Sequence, residues 1–193
     1  MHASLNRAVR DFVQLFKSRN LPYAILGGLA ARAHGIPRPK WDVDFTIGVD
    51  RSRLPEVFDA AEQLGYLVPA AYRAGRVDAV GGMPFVKFGV AISDRSVDID
   101  VFLAESSYLQ TVLSRRQHAE VDENLNVDVV SPEDLIVLKS LSARPRDAID
   151  VQDVLFMQGE LDRDYMRHWA EKLGVLSNLE ESLTKFDQSS DAE

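Results

Sequence analysis

The chain has 193 residues, of which 46% are hydrophobic and 27% are charged, and its formal net charge is −8 at pH 7. This length and composition are typical of a globular protein with one main core. Cysteine is absent, which excludes disulfides, zinc–thiolate sites and a cysteine nucleophile. The negative charge argues against broad nonspecific contact with nucleic acid, because such binding depends on cationic side chains that neutralise phosphates.

The sequence contains no pattern typical of membrane insertion. Residues 1–20 carry charges throughout, unlike a secretory signal peptide, and no run of about 20 apolar residues occurs anywhere. We therefore expect a cytoplasmic protein without a membrane partner.

The first part of the chain alternates between helical and strand patterns. Apolar residues at helical spacing predict helices over residues 5–16, 29–34, 54–64 and 107–116. Short apolar or alternating runs predict strands over residues 21–26, 41–48, 85–92, 97–103 and 127–130. The separator at residues 93–96 is rich in turn-forming residues, so the third and fourth of these strands are predicted to form a hairpin.

The second part of the chain is predicted to be helical. Ser131 suits an N-cap, Pro132 suits the first helical position, and two acidic residues follow in the first turn. Helices are predicted over residues 135–142, 146–157, 163–173 and 176–186, and the polar tail 187–193 is predicted to fray. We expect an α/β core over residues 1–130 and a helical region over residues 131–193.

Two predicted strands carry paired aspartates. Asp42 and Asp44 are two residues apart, so their side chains project from the same strand face, roughly 7 Å apart along the strand. Asp98 and Asp100 repeat this arrangement on a later strand. These faces could simply meet solvent. However, aspartate is depleted in strands, and gathered carboxylates repel each other unless a cation such as Mg²⁺ binds them.

A pair of glycines lies between the predicted strand 21–26 and the predicted helix 29–34. Gly27 and Gly28 end a strand and open a helix, and the free backbone amides of such a junction suit phosphate. A tight turn alone would also explain the pair. His34, at the end of the same helix, is interpreted as a capping or packing residue.

The segment from Leu26-Gly27-Gly28 to Asp42-Val43-Asp44-Phe45 resembles the signature of the nucleotidyltransferase superfamily, which includes DNA polymerase beta. That signature is a strand, a Gly-Gly or Gly-Ser pair, a helix, and Asp-x-Asp on the next strand. More narrowly, the segment is similar to the small bacterial nucleotidyltransferases of the AbiEii type, which show Arg-x-Thr-x-Asp-x-Asp. Arg38 matches this pattern, whereas Lys40 stands at the threonine position.

The resemblance implies an α/β (α+β) fold, with a mixed sheet flanked by helices and followed by a C-terminal helical region. It also implies metal binding by Asp42, Asp44 and a third carboxylate, either Asp98 or Asp100; the run Asp-Val-Phe-Leu favours Asp100. In the second part, the motifs 132–139 and 146–151 are similar to later helical motifs of the superfamily. These motifs imply Lys139 as a triphosphate ligand and Asp147 or Asp150 as its polar partner. The resemblance also implies Gly27, Gly28 and Arg38 as residues of the nucleotide site.

The function that the resemblance implies is Mg²⁺- or Mn²⁺-dependent transfer of a nucleoside monophosphate from a nucleoside triphosphate, such as ATP, to an acceptor. An RNA end such as that of tRNA, a protein and a small molecule all remain open as acceptors. The narrower resemblance also implies that the protein is a component of a toxin–antitoxin pair and binds a cognate antitoxin. The alternative interpretation is a catalytically degenerate protein that binds a nucleotide or a partner without transfer.

Overall fold

The computed structural model describes residues 3–37, 42–92, 95–142 and 144–190. In the first part of the chain, these residues form five helices: α1 (Ala3–Ser18), α2 (Gly27–Ala33), α3 (Leu54–Gln63), α4 (Ala70–Arg73) and α5 (Ser107–Ser114). A short 3-10 turn, Arg51–Arg53, precedes α3. The later helices are α6 (Pro132–Ser142), α7 (Pro145–Gln158), α8 (Arg163–Lys172) and α9 (Leu176–Ser190).

Seven strands of the described residues form one mixed sheet. The strands are β1 (Tyr23–Leu26), β2 (Asp42–Ile47), β3 (Asp78–Val80), β4 (Met83–Ile92), β5 (Arg95–Leu103), β6 (Gln117–Asp122) and β7 (Leu125–Val129). Their order across the sheet is β3-β4-β5-β2-β1-β7-β6. The pairs β2–β5 and β1–β7 are parallel, and the remaining neighbours are antiparallel. The two acidic strands, β2 and β5, are therefore direct neighbours at the centre of the sheet.

An aromatic cluster covers one face of this sheet. The ring of Phe12 on α1 lies 6.0 Å from that of Phe45 on β2 and 5.1 Å from that of Phe88 on β4. Phe58 on α3 packs on the same Phe88, at 5.8 Å. These buried rings anchor α1 and α3 to the sheet. Since side chains alternate along a strand, the residues next to Phe45 project from the opposite face.

The C-terminal helices gather around α6, which contacts α2, α7, α8 and α9. The start of α6 is fixed as predicted, because Ser131 Oγ accepts a hydrogen bond from the Asp134 amide at 3.2 Å. Asp134 is fully buried and accepts a hydrogen bond of 2.6 Å from Tyr165 on α8. Among the described residues, no helix combines the length and apolar character needed to cross a membrane.

The structure departs from the predicted elements mainly at the borders of the sheet. The β4–β5 hairpin is confirmed, but β5 already begins at Arg95, within the predicted separator. The strands β3 and β6 were not predicted, and both lie at edges of the sheet. Fraying from residue 187 is wrong for residues 187–190, which continue α9; there Asp187 pairs with Arg163 at 2.8 Å. Residues 191–193 lie outside the described residues.

Candidate active site

The acidic residues of the two central strands lie in matching register. Asp44 is the register partner of Asp100, and Asp42 is the partner of Asp98. On the outer sides, Leu26 of β1 pairs with Asp44, and Lys87 of β4 pairs with Asp100. Register partners project from the same face of a sheet. One row across four strands therefore reads Leu26, Asp44, Asp100, Lys87.

This row faces away from the aromatic cluster, into a cleft of about 330 Å³. Asp42, Asp44 and Asp100 line the cleft, and Asp98 is not among its lining residues. Asp42 is exposed and Asp44 is half-buried, whereas Val43 between them is fully buried. The alternation predicted for β2 is thus observed, with carboxylates toward the cleft and apolar side chains toward the core.

The glycine pair forms one end of the cleft. Gly27 begins α2 directly after β1, and both Gly27 and Gly28 line the cleft. Gly27 has φ +67°, a conformation that strongly favours glycine. A Cβ atom there would overlap Asp44 Oδ2 and lie 3.1 Å from Asp44 Cγ. The turn therefore needs glycine for two reasons, its backbone conformation and the close approach of the Asp44 carboxylate.

The remaining walls come from α6 and from the turn between β3 and β4. Leu135, Leu138 and Leu141 supply an apolar wall from α6. Gly81 of the β3–β4 turn lies against this wall, since a Cβ atom on Gly81 would approach Leu141 Cγ to 2.9 Å. The cleft thus combines a carboxylate floor with apolar sides, as binding sites for small organic ligands commonly do.

Lys139 stands at the edge of the cleft within a buried cluster of charges. Its Nζ donates hydrogen bonds of 2.6 Å to Asp147 Oδ1 and to Asp150 Oδ2. The three residues are only 8%, 7% and 4% exposed, in that order. Ser142 Oγ donates to the second oxygen of Asp147. Lys139 and Asp147 line the cleft, whereas Asp150 is not among its lining residues.

The ionisation of Asp147 reflects this cluster. Burial by itself raises the pKa of the carboxyl group, but the hydrogen bonds from Lys139 and Ser142 and the charges of Lys139 and Arg144 outweigh burial. The pKa of Asp147 is consequently below its usual value. Asp147 is therefore a carboxylate at neutral pH, and Lys139 is held by ionic bonds.

Lys87 was not among the residues predicted for the site. Its Nζ lies 2.8 Å from Asp100 Oδ1 and 2.9 Å from Asp100 Oδ2, and it also stands 5.1 Å from the centre of the Phe85 ring. The only sequence signal for this contact is the hairpin register. A four-residue turn at 93–96 would pair Ile92 with Val97 and move Lys87 away from Asp100. The observed pairing of Ile92 with Arg95 sets Lys87 directly opposite Asp100.

The remaining predicted residues are placed as follows. Arg38 lies outside the described residues, as do Lys40 and Trp41. His34 is buried, and its Nε2 lies 2.8 Å from the carbonyl oxygen of Val130, so it packs between α2 and the end of β7.

In the part of the chain that the structure describes, no three histidine, aspartate or glutamate side chains converge closely enough to hold a metal ion. The hydrogen bonds from Lys87 occupy Asp100 in this arrangement.

Comparisons with known proteins identify the fold. No known family model matches the chain, and no curated protein matches its sequence. Among solved structures, the chain is similar to the antibiotic-resistance factor ANT(2'')-Ia in solution, with 16% identity, a TM-score of 0.55 and 100% of both chains covered. The crystal structure of ANT(2'')-Ia with adenylyl-2''-tobramycin gives 19% identity and a TM-score of 0.54, covering 95% of this chain and 99% of that one.

An antigenic nucleotidyltransferase-like protein from Paracoccidioides brasiliensis is also similar, with 20% identity, a TM-score of 0.51 and 92% of each chain covered. The predicted fold class, a nucleotidyltransferase-type mixed sheet flanked by helices, is thereby confirmed. The narrower resemblance to AbiEii-type toxins stays a prediction.

Proposed function

We propose that this protein is a divalent-metal-dependent nucleotidyltransferase that transfers a nucleoside monophosphate from a triphosphate to an acceptor and releases pyrophosphate. The observation that carries the proposal is the meeting of three elements in one cleft. They are the carboxylates of Asp42, Asp44 and Asp100, the helix start at Gly27–Gly28, and the buried Lys139. Carboxylates for a cation and donors for phosphate are the two parts that phosphoryl-group transfer requires.

The donor chemistry of the floor fits a hard divalent cation. Mg²⁺ prefers oxygen ligands and is commonly bound by one or two carboxylates together with substrate phosphates. Asp42 and Asp44 supply two such carboxylates on one strand face, and Asp100, which also lines the cleft, would complete the set. Bound there, the cation would neutralise charge on the phosphate being transferred. The close fit of Gly27 against Asp44 supports this role, since the glycine makes room for the carboxylate at the cleft.

The chain's own groups would then bind and orient the triphosphate. The first N–H groups of a helix lack partners within the helix, so those of Gly27 and Gly28 are suited to donate hydrogen bonds to phosphate oxygens. An ammonium group has three N–H donors, and the bonds to Asp147 and Asp150 use two of those of Lys139. The third is proposed to bind a phosphate oxygen, while both aspartates hold the lysine in position. Arg38 is proposed to add positive charge to the same site.

A small molecule is the acceptor that we favour. The net charge of −8 disfavours an RNA acceptor, because a polyanion would be repelled. The structure of ANT(2'')-Ia with adenylyl-2''-tobramycin supports a small acceptor by analogy of fold alone. A protein acceptor, and a cognate antitoxin as partner, remain parts of the proposal that co-purification and inhibition assays can test.

The test is incubation with each labelled nucleoside triphosphate, Mg²⁺ or Mn²⁺, and separate small-molecule, protein and RNA fractions. The expected result is pyrophosphate release together with label in the small-molecule fraction. Asp44→Ala should abolish transfer and keep the fold, because a metal carboxylate is lost. Asp59→Ala is the matched control, since Asp59 is an exposed carboxylate on α3 that pairs with Arg73. Transfer by Asp44→Ala at the rate of the control would contradict the assignment.

A second candidate is a nucleotide-binding protein without transferase activity. The specific observation in its favour is that lysines occupy the site's acids, with Lys87 on Asp100 and Lys139 between Asp147 and Asp150. Calorimetric titration with each triphosphate and Mg²⁺ separates the two functions. Binding without pyrophosphate release in the presence of all acceptor fractions would support the second candidate.

A further inference from the structure

The outer face of α7 exposes three large apolar side chains. Ile149 is 62% exposed, Phe156 is 76% exposed and Met157 is 51% exposed. Ile149 and Phe156 are two helical turns apart, so they lie on the same side of α7. A single exposed apolar residue is ordinary, but a row of them on one helix is typical of a surface that another molecule covers.

A cavity of about 370 Å³ opens beside the first half of this face. Pro145, Ala148 and Ile149 of α7 form its apolar side. On the α9 side it is bordered by Glu181 and Lys185, which form a surface ion pair of 2.6 Å. The same helix therefore carries an exposed phenylalanine ring near its end and the rim of an apolar recess near its start.

The charged residues of this face are divided along the helix. Arg144 and Arg146 are exposed at its start, whereas Asp153 and Glu160 are exposed toward its end and just beyond it. Within the described ranges, neither Arg146 nor Asp153 has a salt bridge. The distribution also opposes the helix dipole, which favours anions at the start of a helix and cations at its end, so it does not stabilise α7 itself. It is complementary, however, to a second α7 that lies antiparallel beside the first.

We propose that two copies of this chain associate through α7, with the helices antiparallel about a twofold axis at the level of Val151. Arg146 and Phe156 are about 15 Å apart along the helix, and Val151 lies midway between them. The axis therefore brings each Phe156 to the level of the partner's Arg146, at the recess that the partner's Pro145 helps to form. Each Arg146 comes within about one helical turn of the partner's Asp153 along the axis, which is within reach of its long side chain.

The contact is isologous, because each copy supplies both the ring and the recess, and it closes at two copies. Parallel helices would instead set the two Phe156 rings against each other, oppose like charges and leave both recesses open. An interface made mainly of one helix from each copy is small, so we expect a dissociation constant in the micromolar range. The inference is independent of the proposed function, since α7 could pair in this way whatever the cleft binds.

The measurement is sedimentation velocity of the full chain over concentrations that span the micromolar range, where we expect a monomer–dimer equilibrium. Phe156→Gln should weaken dimerisation at least about tenfold, because it removes the ring that fills the partner's recess. Leu67→Gln is the matched control, since Leu67 is 71% exposed between α3 and α4 and its loss also removes an exposed apolar side chain. Circular dichroism verifies that each variant is folded.

Reversal of single charges distinguishes this arrangement from any other contact between copies. Arg146→Glu and Asp153→Arg should each stay monomeric where the unmodified chain dimerises, because like charges then meet twice across the interface. An equimolar mixture of the two variants should dimerise again, since every pair in the mixed dimer joins opposite charges.

A chain that stays monomeric at every concentration would overturn the inference. So would a dimer that Phe156→Gln and Leu67→Gln weaken equally, or a mixture of the two charge variants that stays monomeric. None of these outcomes bears on nucleotidyl transfer, which is measured separately as pyrophosphate release.

Discussion

Replacement of Lys139 by methionine should be one of the most destabilising single changes near the cleft. The lysine is 8% exposed and is the shared partner of two carboxylates that are 7% and 4% exposed. Lys139→Met leaves both carboxylates buried without their counter-ion and close to each other. Removal of one partner from a buried ion pair costs about 3–5 kcal/mol, which is a large part of the stability of a typical domain.

The loss can be measured by urea unfolding at pH 7, with Lys185→Met as the control for loss of a surface lysine. The pH dependence gives a second, independent readout. Burial is the largest influence on the pKa of Asp147 and raises it, so without Lys139 the folded variant should bind a proton at this carboxylate at a higher pH than the unfolded chain does. The stability of Lys139→Met should therefore approach that of the unmodified protein as the pH falls from 7 toward 4.

The triple variant with Asp147→Asn and Asp150→Asn removes the buried charges together and should recover part of the loss at pH 7. Equal unfolding free energies of Lys139→Met and Lys185→Met at pH 7 would refute this reasoning. So would a loss of stability in Lys139→Met that does not change with pH.

Two further predictions concern the two ends of α2, Gly27 and His34. Gly27→Ala should lose about 1–2 kcal/mol from its left-handed backbone conformation, and it should also weaken Mn²⁺ binding, because the added Cβ overlaps the Asp44 carboxylate. Gly174→Ala, at φ +73° with open space around it, shares only the backbone cost and should bind Mn²⁺ normally; equal affinities would contradict the overlap. Burial lowers the pKa of His34, so below about pH 6.5 the unfolded chain binds a proton before the folded protein does, and stability should fall from pH 7 to pH 5. In His34→Gln, whose amide can still donate to the Val130 carbonyl, the thermal midpoint should depend less on pH in this range, and identical slopes would argue against His34 as the cause.

Local patterns were sufficient for the central elements of the fold. The strand β2 follows from the alternation at its start, because Val43 and Phe45 are buried whereas Asp42 and Asp44 meet the cleft. The cap at Ser131 follows from the short-range preferences of the first helical turn, which act in any tertiary context. Such patterns can be recognised in the sequence because the interacting residues are only a few positions apart.

The edge strands left weaker signals. Four of the first five residues of β6 are exposed or only partly buried, since the strand has a neighbour on one side alone. A strand with little buried surface lacks the apolar alternation by which strands are recognised. β3 has three residues, which is too short for any periodicity. Their places follow from pairing with β7 and β4, and such pairing is a long-range property.

The sequence by itself determined which side chains share a face of β2 and β5, because the two-residue repeat of a strand is built into its backbone. It also placed a glycine pair before a short helix, where a tight turn was needed. Only the tertiary structure decided that Asp44 and Asp100 are neighbours, that Lys87 meets Asp100, and that Lys139 joins Asp147 to Asp150. These contacts depend on strand order, hairpin register and helix packing, where a shift of one or two residues exchanges every partner across the cleft.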